Sequence, residues 1–360
     1  MNSTVNGSSC FSQLNLSAAK IGKTFAYCLI FTVSLVGNSL IALTVHKTKN
    51  RRKAFNYFFV NMVMSDLLYP ILEFPWILTE LYVDSWLISG PLGQVLCKTI
   101  FYLANVSNFV SIQSLVLIAV DRFGAVVFPL RSPLFSSKRC RLFILVTWIV
   151  AMTVFSPYLF AFKLVEYPGR LVCKGRWNEA FKESPFAANY FLAKSVVFLY
   201  FPIALLVIIY WIIFVKLKSQ KIPGEQSVRA VLKRAKRNKN ILKMAIAIVT
   251  GFVLCWVPWS IINLLFFFSW DRRLPCGAFA YYCIALLMAQ ANCAVNPIIC
   301  FVFSRNYRQT LKKLLTSVAN TSRIQPCQAR KQCKSSQRVI RKEKRMVDDE
   351  TQRDGKLAIT

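Results

Sequence analysis

Residues 99–120 read TIFYLANVSNFVSIQSLVLIAV and run without a charge into Asp121-Arg122-Phe123. A helix rises about 1.5 Å per residue, and about 20 apolar residues cross a hydrocarbon core, so this stretch is long enough to span a membrane. In lipid it must be helical, because no water is present to satisfy an open backbone. Residues 24–45, 142–162, 195–215, 244–270 and 277–304 are equally free of charge. Residues 54–82 form one more apolar block, broken by Asp66, Glu73 and Glu80. A buried helix of a large soluble protein seldom runs this long, and seven in succession exclude that reading.

Composition agrees with the pattern. Of 360 residues 55% are apolar and 14% aromatic, while 17% are charged, below the roughly 25% of a soluble domain. The net charge of +31 by itself suits a nucleic-acid partner, but the basic residues flank the apolar blocks instead of forming a groove-reading module, so no nucleic-acid partner is expected. The segments after the first, third, fifth and seventh blocks hold 35 of the 46 Lys and Arg residues. By the positive-inside rule these segments face the cytosol and the N-terminus lies outside. Three glycosylation acceptors, at Asn2, Asn6 and Asn15, fall on that outer side.

The expected organisation is all-α: an integral seven-helix membrane bundle with a short amphipathic eighth helix. Residues 1–23 form a glycosylated extracellular N-terminus, and the spans run over about 24–46, 54–82, 96–126, 139–162, 189–217, 238–270 and 277–303. Tyr307, Leu311, Leu314 and Leu315 share a helical spacing among basic residues, which places an amphipathic helix over 304–316 on the inner leaflet. Residues 317–360 are polar, charged and poor in aromatics, and are expected to be disordered.

Chemistry-bearing residues then appear in order, span by span. Asp66 is the one acid deep in a span, and a carboxylate there must face the interior, where it is solvated or paired. Asp121-Arg122-Phe123 ends the third span, and Trp148 sits in the fourth. Pro202, Pro258 and Pro297 interrupt the fifth, sixth and seventh, each removing a backbone bond and building in a bend. Any of these alone is weak, since such residues often only pack.

Taken in order, the set resembles the rhodopsin-like family of G-protein-coupled receptors over about residues 25–315. The residues that carry the resemblance are Gly37-Asn38, Asp66, Asp121-Arg122-Phe123 with Ala125-Val126 and Pro129-Leu130, and Trp148. They continue with Pro202 and Tyr210, Phe252 with Cys255-Trp256-Val257-Pro258, Asn292, and Asn296-Pro297. The resemblance implies several roles. Asp66, Ser111, Trp256, Asn292 and Asn296 match a sodium and water pocket, so an allosteric sodium ion is the one non-protein component it suggests. Ile112, Pro202 and Phe252 match a packing triad that rearranges on activation, with Tyr210, Trp256, Pro258 and Pro297 as further switch positions. Arg122, paired with Asp121 at rest, matches the arginine that meets a heterotrimeric G-protein, with Phe123 beside it and Leu130 as the loop residue docking on the same partner. Cys97 and Cys173 match the family's extracellular disulfide, and Trp86 its packing residue. Cys10 and Cys276, both outside, either form a second bridge or stay free thiols.

Two positions depart from the family pattern. Cys300 stands where a tyrosine usually closes the seventh span, and Asn238 replaces an acid that often latches the arginine. The first removes the hydroxyl that in the family meets Tyr210 through water in the active state, and the second is expected to raise basal activity.

The ligand is narrowed by elimination. Ala104 stands where aminergic relatives carry an aspartate, and Gln290 where opsins carry the retinal lysine. On the second span Glu73, Trp76 and Glu80 share one face at i, i+3 and i+7. Those carboxylates either meet a cationic ligand or pair with loop Arg and Lys. With the acids Asp84, Glu166 and Asp271 near the mouth, the first option points to a short basic or amidated neuropeptide, the resemblance being strongest to neuropeptide receptors. The second receptor reading is a small-molecule or lipid ligand. A transporter or channel is disfavoured by the absence of internal repeats and of several intramembrane charges. No metal cluster or Ser/His pair suggests an enzyme. The basic run 233–243 would draw anionic lipid headgroups, and Ser317, Thr321, Ser322, Ser335 and Ser336 are candidate phosphorylation sites for arrestin at a plasma-membrane receptor.

Overall fold

A computed structural model describes residues 13–47, 54–128, 134–181, 186–219, 228–270 and 274–303, together with 308, 309, 311–313 and 316. The elements are α1 (Gln13–Lys47), α2 (Ala54–Val83), α3 (Gly90–Val127), α4 (Ser137–Phe155) and α5 (Pro157–Ala161). A hairpin follows, β1 (Phe162–Tyr167) and β2 (Arg170–Gly175), then α6 (Trp177–Ala180) and α7 (Phe186–Ser195). After a π turn at Val196–Tyr200 come α8 (Phe201–Lys218), α9 (Val228–Phe268) and α10 (Phe279–Phe303). Among the described residues six helical stretches are long and apolar enough to cross a membrane; another long helix, α2, carries Asp66, Glu73 and Glu80. Contacts divide the chain into residues 1–305 and 306–360, and the described residues beyond 307 in the second unit are helical.

The burial pattern is the reverse of a soluble protein's. Ser34, Asn38, Ser65, Asp66, Ser107, Ser111 and Asn296 are buried, while Leu29, Leu145, Ile208, Trp211 and Leu254 are exposed. An outer surface of this kind is stable only against lipid, and polar side chains then gather inside to satisfy one another. The third span is the hub, packing on α2, α4 and α8. Close approach fixes two helix crossings. A Cβ on Gly37 would come within 2.6 Å of Pro297, and one on Gly251 within 2.6 Å of Val295.

A buried polar chain ties three spans together. Trp148 Nε1 donates to Asn61 Oδ1 (3.0 Å), and Asn61 Nδ2 donates to Ser114 Oγ (2.9 Å), which in turn donates to the Val110 carbonyl (2.7 Å). Trp148→Phe keeps an aromatic ring against the cluster of Val106, Phe109 and Ala151 but orphans the Asn61 side-chain carbonyl, and is expected to cost about 1–3 kcal/mol. Thermal unfolding of the detergent-solubilised chain measures this, and an unchanged midpoint would remove the network from the stability account.

Several span limits differ from the charge-based expectation. The first helix starts at Gln13 and not near 24, and α9 starts at Val228 and not near 238. Lys and Arg are good helix formers, so helices extend past the apolar limit into water. The fourth span breaks at Ser156-Pro157 and ends at Ala161, where the hairpin begins. In the fifth span Pro202 cannot donate a backbone bond, and the ladder widens: Phe201 N–H reaches the Val196 carbonyl, five residues back. Two more prolines, Pro70 and Pro75, lie inside α2.

Candidate functional site

At the outer end, the hairpin is anchored to the top of α3 by the Cys97–Cys173 disulfide, with Cα atoms 5.6 Å apart. Strand β2 carries Cys173 opposite Leu164 of β1, and the turn between the strands uses Pro168 followed by Gly169 at φ 79°. Gly169 supplies the positive φ that the third position of such a turn requires. Trp86 packs on both cysteines, and its backbone N–H donates to the Leu171 carbonyl (2.7 Å). Asp84 pairs with Arg170, and Arg176 pairs with Glu179. The Glu179 carboxylate pushes the Arg176 guanidinium further above its usual range. Cys276 is disulfide-bonded, which removes the free-thiol reading at that position; its partner, like Cys10, lies outside the described residues.

Beneath this cover lies a cavity of about 380 Å³. Its walls are aromatic, including Trp76, Phe101, Tyr158, Trp177, Phe191 and Trp259, and they carry the amides Asn105, Asn108, Asn263 and Gln290. Of the residues singled out for ligand contact, Glu73, Trp76 and Gln290 line it. Gln290 Nε2 donates to Glu73 Oε2 at 3.3 Å. Two others do not line it. Glu80, two turns further out, is exposed, and Ala104 is fully buried against Tyr69 and Cys293. Among the mouth acids, Asp84 is taken up by Arg170, so the loop-pairing alternative holds there. Glu166 is exposed on β1, and Asp271 lies outside the described residues.

Sequence reasoning missed Lys194. It falls within the expected fifth span, just before the charge-free run 195–215, and the structure places it inside α7 and lining the cavity. A lone lysine among aromatic residues gives no signal of its own; the aromatic residues from Phe186 to Phe191 were the available mark of a cavity wall.

The cavity floor is a packed apolar cluster. Ile112, Leu199 and Trp256 line the cavity, and Ile112 and Leu199 share one buried cluster with Phe252, against which Trp256 packs. Pro202 is buried one turn beyond Leu199 and lines a different recess with Phe109 and Gln113, so the structure does not bring it into this cluster. The Trp256 Nε1 is buried without a hydrogen-bond partner among the described residues.

Further in, Asp66 is 1% exposed. Its Oδ1 accepts from Ser111 Oγ at 2.7 Å and its Oδ2 from Asn296 Nδ2 at 2.8 Å. Among the described residues it forms no ion pair, and Asn292 is buried as well. Ser34 Oγ donates to the Asp66 carbonyl (3.1 Å), and Asn38 Nδ2 donates to the Cys293 carbonyl (3.0 Å), tying the first, second and seventh spans together.

At the inner end Arg122 Nε donates to Asp121 Oδ2 at 3.1 Å, and a second guanidinium nitrogen makes an ion pair with the same oxygen. The Phe55 ring lies 5.0 Å from the guanidinium carbon. Arg122 and Tyr210 line a small recess with Ile248 and Val249. Phe123 packs against the α3–α8 cluster that contains Tyr210. Cys300 is fully buried. Pro258 and Pro297 sit within continuous helices. Leu130, Asn2 and Asn6 lie outside the described residues, as do the side chains of Asn15 and Asn238 and the candidate phosphorylation sites.

This bundle, covered outside by a disulfide-anchored hairpin and carrying the Asp121–Arg122 pair at the inner end of its third span, is that of a seven-span membrane receptor. Residues 37–300 match the model of the seven-transmembrane receptors of the rhodopsin family, and the chain belongs to that family. It is a multi-pass membrane protein and a receptor, not an enzyme. It is 30% identical over 297 residues to the neuropeptide Y receptor type 1 of Xenopus laevis, covering 80% of this chain and 78% of that receptor. It is 28% identical over 290 residues to the somatostatin receptor type 5 of Bos taurus, covering 80% and 74%. To a QRFP-like peptide receptor of Branchiostoma floridae it is 26% identical over 309 residues, covering 84% and 79%.

Proposed function

We propose that a short extracellular peptide enters the outer cavity and that the receptor then activates a heterotrimeric G-protein. The observation that carries this reading is the set of four amide side chains, Asn105, Asn108, Asn263 and Gln290, on an aromatic wall. Amides match the donors and acceptors of a peptide backbone, whereas a lipid tail favours an unbroken apolar wall. The relatives named for peptides support the same reading.

Peptide contact with Ile112, Leu199 and Trp256 shifts the cluster around Phe252, and the bundle moves toward a form in which Arg122 leaves Asp121. The freed guanidinium then meets the G-protein, with Leu130 docking nearby. The basic-residue asymmetry supports an extracellular N-terminus in the plasma membrane, with Asn2, Asn6 and Asn15 as glycosylation sites. Cys10 is the partner we propose for Cys276, since the remaining cysteines lie in spans or on the cytosolic side. The tail serines and threonines are the proposed route to arrestin, and the basic stretch 233–243 to lipid headgroups.

The Asp66 pocket fits sodium. Its carboxylate and the Ser111 hydroxyl supply oxygen donors, and Asn296, which now donates its Nδ2 to Asp66, would add a third by turning its amide oxygen inward; the carboxylate has no cationic partner among the described residues, which suits a hard cation. When bound there, sodium supplies the positive charge the carboxylate lacks. Sodium chloride in place of N-methylglucamine chloride is expected to lower basal nucleotide exchange in membranes of the wild type and to leave Asp66→Asn unaffected. An equal response in both would remove the ion from Asp66.

The test of function is expression of the full chain with a promiscuous G-protein readout against pools of neuropeptides. Activation by a peptide pool is the expected result. Activation by lipid or small-molecule extracts alone would favour the second receptor reading.

A further inference from the structure

Two ionisable side chains line the outer cavity from different walls and do not neutralise each other. Glu73 comes from α2, which packs on α1, α3, α4 and α10, and Lys194 comes from α7, which packs on α9. Neither takes part in an ion pair among the described residues. The Lys194 ammonium lies 4.3 Å from the centre of the Phe191 ring, 5.5 Å from that of Tyr158 and 5.6 Å from that of Phe155. It donates one hydrogen bond, to Tyr158 Oη at 3.1 Å. An ammonium has three donors, and ring faces satisfy its charge only partly. A cation so placed lacks the anion that low-dielectric surroundings demand.

The opposite pole lacks a cation in the same way. Glu73 has the neutral Gln290 amide beside it, and Gln290 Oε1 is buried with no hydrogen-bond partner among the described residues. A carboxylate oxygen and an orphaned carbonyl oxygen together form an acceptor pair for an ammonium or guanidinium group.

We infer that the ligand is amphoteric: a carboxylate seats on Lys194, and a cationic group seats on Glu73 and Gln290. This rests on the peptide reading above and makes it more specific. A cavity of about 380 Å³ is near the small end of ligand pockets, so it takes the end of a peptide and not its middle. The C-terminal end brings a carboxylate with it. The occupant is therefore the free-acid C-terminus of a peptide with a Lys or Arg at or near its last residue, not the amidated peptide that acidic residues at the mouth alone suggest.

Two measurements test this on the full chain. In the first, the purified receptor in detergent is heated with N-acetylphenylalanine or with N-acetylphenylalaninamide, which differ only in the carboxylate. The acid is expected to raise the midpoint more than the amide does. Lys194→Met should abolish the difference, and Lys194→Arg should restore it. Equal shifts in the wild type would overturn the carboxylate pole whatever the natural ligand is. In the second, matched synthetic peptide libraries, one with C-terminal acids and one with C-terminal amides, are compared by G-protein activation. The acid forms are expected to be stronger by roughly tenfold or more. Lys194→Met should erase that ratio, and Glu73→Gln should weaken only peptides with a basic residue near the C-terminus. Amides as potent as acids would refute the inference and leave the peptide reading standing. If neither library activates the receptor while the thermal difference persists, the peptide reading falls and the carboxylate pole stands.

Discussion

Replacing Cys97 with alanine is expected to remove most of the receptor from the cell surface. The bond ties β2 to the first turns of α3 across a separation of 76 residues. Closing a chain that long restricts the unfolded ensemble strongly, and loss of a native disulfide typically costs about 2–5 kcal/mol. Set against a net stability of about 5–15 kcal/mol, that is a large fraction. Native packing adds to the loss. Cys97 is 0% and Cys173 7% exposed, both under Trp86, so the reduced pair leaves the hairpin without its anchor and the aromatic cover without its base. Surface biotinylation of Cys97→Ala, Cys173→Ala and the double variant measures the effect. The two single losses should be nearly equal, and the double variant little worse than either. Wild-type surface levels in all three would show that the hairpin holds its place without the bond.

Arg122→Ala is expected to abolish G-protein activation while leaving surface expression close to wild type. Its side chain is 24% exposed and Asp121's is 8%, so truncation empties a half-open site instead of the core. Loss of exchange activity by at least about tenfold corresponds to roughly 1.4 kcal/mol or more of lost stabilisation of the coupled state. Asp121→Asn acts in the opposite direction. It takes away the ion pair but leaves the Phe55 ring against the guanidinium, so basal exchange should rise. Ligand-independent nucleotide exchange in membranes, normalised to surface receptor, reads both variants. Unchanged exchange in Arg122→Ala would take the residue out of the coupling surface.

The spans were legible because lipid imposes one rule on every helix, and charge-free runs such as 99–120 obey it. Their ends were less legible because charge is a poor marker of where a helix stops. Gln13 and Val228 begin helices among polar and basic residues that tolerate water and helix alike. Charge also gave no hint of the place of Lys194, whose long apolar stem lets its ammonium sit among rings within a span. The hairpin was foreshadowed only by Pro168-Gly169, a turn signal with short flanking strands and little alternation. Order along the chain marked Asp66, Ser111, Asn296 and the Asp121–Arg122 pair, and the bundle does bring these together. Position along α2 did not reveal that Glu73 and Glu80 part company, because a shared helical face says nothing about how far a cavity extends along it. Nor could it reveal that the bend at Pro202 is a π turn, which depends on the bond the chain finds when the ordinary one is lost.

The most direct test places the full chain in lipid nanodiscs with a heterotrimeric G-protein and measures binding of a labelled GTP analogue with and without neuropeptide pools. A peptide pool should accelerate exchange on the wild type and leave Arg122→Ala at its basal rate. Acceleration that persists in Arg122→Ala, or exchange that responds to no peptide while a lipid extract drives it, would contradict an outer peptide cavity coupled to an inner arginine latch.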